Sequence, residues 1–150
     1  MTKSMAFSVD RSRSIIGTLI AGGKVSAMDV AWLRRKVFAD GEVSRDAAEE
    51  LFAVERSDIE KCPEWTEFLA EMITEHVVWQ SRPTGVINEP QAQWLIAQAD
   101  ACRSIGALAA LVNVLVEAHK VPQWLAAGAR ARTRQGWPGV DEALQIAEAA

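Results

Sequence analysis

The chain has 150 residues, 49% hydrophobic and 24% charged, a balance that fits one soluble globular domain and excludes a disordered chain. Six Trp stand against no Tyr, and 16 Lys and Arg against 20 Asp and Glu leave a net charge of −4. No apolar run reaches the roughly 18–20 residues of a membrane helix, and Cys62 and Cys102 have neither the spacing of a disulfide framework nor that of zinc ligands, so reduced thiols are expected.

In chain order, Ile15, Ile16, Leu19 and Ile20 give a first helix near residues 11–21. Lys3, Arg11 and Arg13 ahead of it suggest a secretory signal, but Asp10 interrupts the basic part and Gly17 and Thr18 the apolar part, so a cytoplasmic chain is expected. Then comes a repeat. Ala21-Gly22-Gly23-Lys24-Val25-Ser26, with Leu33 seven residues on, lines up at an offset of 18 with Ala39-Asp40-Gly41-Glu42-Val43-Ser44 and Leu51. Each is a turn followed by a helix start: a glycine for positive φ, a valine to tuck beneath the turn, and a serine to cap the next helix. These starts predict helices near 27–38 and 45–55.

Pro63 opens a helix over 63–79, whose apolar stripe is Trp65, Phe68, Leu69, Met72, Ile73 and His76. The pattern returns as Gly85-Val86-Ile87-Asn88 before Trp94-Leu95, at an offset of 62, and more faintly as Ala99-Asp100 with Ser104 and Leu111, at an offset of 60. Because Ala101 and Arg103 replace the Gly and Val of that last copy, its turn is expected to be loose or absent. Val121-Pro122-Gln123-Trp124 matches Cys62-Pro63-Glu64-Trp65 at an offset of 59. Helices are expected near 89–99, 104–120 and 122–133, with no strands. The fold class is all-α, with about seven helices in two degenerate units, residues 15–80 and 81–135, sharing one core. Residues 136–150 read as a linker or one short extra helix.

The Ala-Asp-Gly-Glu-Val-Ser junction at 39–44 resembles the Ala-Asp-Gly-x-Val-Ser junctions of the TerB-like family of bacterial tellurite-resistance and stress-related helical domains, and the resemblance extends over about residues 15–127. It implies a cytoplasmic, all-helical, non-catalytic interaction module in a metal or tellurite stress response, in a family whose longer relatives carry further units. Family members commonly place a Glu three residues after the Ser, closing a capping box. Here that position is Ala47, so the cap is expected to rest on Ser44 alone.

Charge is unevenly placed. Residues 1–39 carry seven basic and two acidic side chains, residues 40–75 three basic and twelve acidic, and the remainder six of each. The acidic stretch begins at the best-formed junction, which makes Asp40, Glu42 and Asp46 candidates for loose divalent binding through water, and the surface around them a candidate for a protein partner. Calcium in the EF-hand manner is excluded, because with Gly41 as the turn glycine Lys36, Phe38 and Ala47 fall where carboxylates belong.

Trp32, Trp79 and Trp137 are candidate partner-binding residues, and a scaffold that forms a homodimer through exposed Trp is the alternative function. Trp65 and Trp124 are expected to wedge helix junctions from within. His76 and His119 sit on apolar stripes and read as buried, hydrogen-bonded histidines. A metal-dependent enzyme built on His76 and Glu75 is the remaining alternative, and it finds no nucleophile, P-loop or dinucleotide motif in support. Nucleic acid is not an expected partner, since Arg130, Arg132 and Arg134 lack aromatic interleaving in a chain of pI 5.2.

Overall fold

The structure, a computed structural model, describes residues 17–135. Each capped turn of the sequence becomes a junction between helices. The first helix, α1, is seen over residues 17–22. Strand β1 (Lys24–Val25) leads to α2 (Ala27–Trp32), which closes in a π-helical turn, Leu33–Val37. Then follow α3 (Arg45–Arg56), β2 (Glu60–Lys61) and α4 (Pro63–Thr74), the last also ending in a π-turn, Glu75–Trp79. The second unit consists of α5 (Glu89–Cys102), α6 (Ile105–Glu117) and α7 (Gln123–Thr133). The expected all-α fold of about seven helices is what forms.

The caps act as their residue types dictate. Ser26 and Asn88 each close a full capping box, with Asp29 and Gln91 returning the bond to the cap backbone. At α3 the Ala47 N–H donates to Ser44 Oγ at 3.1 Å and nothing comes back, so that cap rests on one side chain. Val25 and Val43, the valines of the two turns, are buried.

Two expectations about local structure are corrected. Short parallel pairings do occur: β1 pairs with β2, Lys24 opposite Glu60, and Val86 bridges Lys120 in the same sense. Cys62 N–H donates to Val25 O at 2.9 Å, and Ile87 N–H to Lys120 O at 2.9 Å, so each unit ties its first turn to the segment ahead of its Pro-initiated helix. Pairings of one or two residues leave no alternation in the sequence to read. The fourth junction, expected to be loose or continuous, is tight: α5 stops at Cys102, Arg103 takes the left-handed conformation (φ 50°, ψ 47°), and Ser104 caps α6. The left-handed position has moved two residues past Ala101 onto Arg103, a placement that costs about 1–2 kcal/mol in a non-glycine residue.

Side chains of both units form a single hydrophobic core. Its centre is the packing of α4, the last helix of the first unit, on α6, the middle helix of the second. Trp65, Phe68, Leu69 and Ile73 of α4 and Leu108, Leu111 and Val114 of α6 are fully buried there. Helix α7 packs on α5 and α6, burying Leu125 and Ala129, and its Arg132 forks onto Asp100 of α5 at 2.6 and 2.7 Å. Trp124, the sequence equivalent of Trp65, is therefore 37% exposed rather than a buried wedge. The repeat preserves the residue, but among the described residues α7 lies at the edge of the array with no helix outside it to cover the ring.

Candidate functional site

The junction between α2 and α3 forms the floor of an open cleft of about 530 Å³. Asp40, Glu42, Val43 and Ser44 line one side, and Trp79, Gln80 and Arg82, from the end of α4 and the loop after it, line the other. Gly41 turns the chain at φ 76°, and Asp40 Oδ1 accepts the Glu42 N–H at 3.1 Å, which fixes the acidic turn locally.

The turn is also held from α4. Gln80 Oε1 accepts the Val43 N–H at 3.0 Å and its Nε2 donates to Gly41 O at 2.7 Å, while His76 Nδ1 stands 2.8 Å from Val43 O. A carbonyl only accepts, so Nδ1 carries the imidazole proton. The His76 ring meets Trp94 edge to face at 5.4 Å. Burial, the largest effect, together with the Arg45 charge, holds His76 below its ordinary pKa against the opposing pull of Val43 O and Glu49. The expected hydrogen-bonded His76 is found, half-buried.

His119 differs from expectation: it is exposed, because α6 ends at Glu117 and His119 falls in the bridging segment, with its ring edge-on to Trp79 at 6.0 Å. The two histidines share no hydrogen bond or ring contact, since each has its own tryptophan.

Of the acidic candidates, the fold brings Asp40 and Glu42 to the cleft together with Trp79, while Asp46 is not among the lining residues and lies exposed in the first turn of α3, where its charge suits the helix N-terminus. Among the described residues no group of three His, Cys, Asp or Glu side chains is placed to hold a metal ion. Trp32, beside the buried Leu33, is exposed and does not line the cleft, and Trp137 lies outside the described residues.

Much of the acidity serves internal bonds. Four of the five described tryptophans donate their indole N–H to a glutamate: Trp65 to Glu55 (2.7 Å), Trp79 to Glu117 (2.8 Å), Trp94 to Glu49 (2.8 Å) and Trp124 to Glu89 (2.6 Å). Glu71 takes both terminal nitrogens of Arg34, at 2.8 and 2.9 Å. Glu55, only 8% exposed, also accepts from Ser104 Oγ at 2.5 Å.

Neither thiol is activated. Cys62 caps α4 but burial, the largest effect, raises its pKa, and burial with the Glu55 charge pushes Cys102 to about 11. Comparison with protein-family models, curated proteins and solved structures finds no match.

Gln80 and Arg82 are cleft residues that sequence reasoning does not single out. Gln80 bonds to the turn across 37 and 39 positions of chain, and no local pattern announces such a reach. Among the described residues no helix is long and apolar enough to cross a membrane.

Proposed function

We propose that the chain is a non-catalytic, TerB-like helical interaction module of a bacterial metal or tellurite stress response, and that it holds a protein partner in the cleft between the Asp40–Ser44 turn and the Trp79–Arg82 segment. The observation that carries this reading is the convergence of the two acidic turn residues and Trp79 on one cleft whose turn is fixed by Gln80 and His76. A pre-fixed rim loses little conformational freedom on binding, and Trp79 and Arg82 are of the residue types enriched at interfaces, with Asp40 and Glu42 suited to a polar rim. The histidines have separate aromatic partners and the thiols are unactivated, which supports binding rather than turnover.

The test is photo-crosslinking in cells from a benzoylphenylalanine placed at Glu42, with Arg130 on α7 as the control position. A discrete adduct from position 42, absent from position 130 and reduced by Gln80→Ala, is expected. Equal adducts from both positions, or none from 42, would refute the reading.

A further inference from the structure

Trp32 breaks the rule that the other described tryptophans obey. Among the described residues its indole N–H has no acceptor, and its side chain is 39% exposed. Met28, one turn earlier, is 82% exposed, and Arg35 and Lys36 continue the same outer side of α2, exposed and without a carboxylate partner among the described residues. Arg34, by contrast, is engaged by Glu71. The result is an apolar stripe with an unused indole donor and two unused cations at its end. Neither Met28 nor Trp32 lines the cleft, so this surface is independent of the one proposed above.

The internal repeat shows what such a surface takes. Trp94, 62 residues on, is the equivalent of Trp32. Its hydrogen bond and ring contacts reach the first unit: it docks on α3, donating to Glu49, meeting Phe52 edge to face at 5.9 Å, and lying beneath the Arg45 guanidinium at 5.0 Å. Glu49 and Phe52 are three residues apart on one helix face. Trp32 presents the same ring from the same position of its unit, and the described chain provides no helix there to receive it.

We propose that the outer face of α2 docks an acidic amphipathic helix of a protein partner, one with a Glu and an aromatic residue three positions later, as in α3. The Glu takes the Trp32 N–H, the aromatic residue covers the ring, an apolar neighbour covers Met28, and further carboxylates meet Arg35 and Lys36. Polyanions are disfavoured because a purely ionic partner would leave the exposed Met28 and Trp32 uncovered. Trp and Arg at the centre of such a patch are the residue types that dominate binding energy.

The experiment titrates the ¹⁵N-labelled chain with a lactam-stapled peptide of the α3 sequence, residues 45–56, to about 1 mM. A saturable shift of the Trp32 indole N–H is expected, assigned by its loss in Trp32→Ala. The peptide carrying Glu49→Lys, and the chain carrying either Trp32→Ala or the pair Arg35→Glu and Lys36→Glu, should each bind about tenfold more weakly. These substitutions are at exposed positions, so an unchanged far-UV spectrum is expected alongside.

The proposal is overturned if the peptide leaves the Trp32 signal in place, or if the Glu49→Lys peptide binds as well. It is overturned equally if dilution of the chain alone moves that signal, which would assign the face to a second copy. Anionic phosphatidylserine vesicles shifting the signal where the peptide does not would assign it to a membrane and also refute the proposal. Crosslinking from Glu42 is unaffected by any of these results, so the two surfaces stand or fall separately.

Discussion

Gly106 occupies the second position of α6, where an alanine would ordinarily stabilise the helix by up to about 1 kcal/mol. In this protein the opposite is expected. A methyl group at Gly106 would lie 2.3 Å from Glu55 Oε2, 2.5 Å from Cδ and 2.7 Å from Oε1, so the carboxylate has to retreat by about an ångström to reach ordinary contact. That movement strains or breaks the bonds it accepts from Trp65 Nε1 and Ser104 Oγ, each a charge-assisted bond of about 1.5–3 kcal/mol, and leaves the fully buried Trp65 indole without an acceptor.

With the helix-propensity gain set against it, Gly106→Ala should cost about 3 kcal/mol, which in a domain of this size lowers Tm by about 6–12 °C. The assay is urea unfolding of the wild type, Gly106→Ala, Glu55→Ala and the double variant. Removing the carboxylate removes the obstruction, so Gly106→Ala should be neutral or stabilising in the Glu55→Ala background, giving a coupling of about 3–4 kcal/mol. A neutral single variant, or additive effects in the cycle, would refute the claim that α6 starts with a glycine to make room for Glu55.

Trp65→Ala should destabilise by about 3–5 kcal/mol and Trp124→Ala by about 1 kcal/mol or less, because only the first ring is fully covered; calorimetry that found equal losses would contradict the edge position of α7. Since burial lowers the pKa of His76 from its ordinary 6.5, the neutral ring contributes stability that is complete above that value and lost as pH falls through it toward the folded-state pKa. Urea unfolding between pH 7.5 and 5 should show that loss, and His76→Gln should flatten it; an unchanged slope would refute the assignment. Calcium, manganese or zinc added to Asp40, Glu42 and Asp46 should leave Tm unchanged, because the fold separates Asp46 from the cleft and gathers no set of three ligands among the described residues. A rise of several degrees, abolished by Asp40→Asn, would show otherwise.

What is local in this protein is legible in its sequence. Ser26, Ser44 and Asn88 announce helix starts through the chemistry of their own side chains, Val25 and Val43 announce buried turns, and the 3.6-residue stripe of Trp65, Phe68, Leu69 and Ile73 announces a core helix. Each of these signals acts within a turn or two of chain, as does the missing capping box at Ala47.

The tertiary structure decided everything that depends on which surfaces meet. Trp65 and Trp124 share a motif, yet one is buried under α6 and the other lies at an edge. Trp32 and Trp94 share a position, yet only Trp94 has an α3 to dock on. The cleft exists because Gln80 and His76 reach across more than thirty residues to a turn whose own sequence says only that it bends. Which acids stay available is also decided only in three dimensions: Glu49, Glu55, Glu71 and Glu89 are taken up by tryptophans and an arginine, whereas Asp40 and Glu42 face an open cleft. A hydrogen bond between distant residues leaves no periodicity behind, so the sequence specified the elements and their caps, and packing decided which acids and which rings remained available.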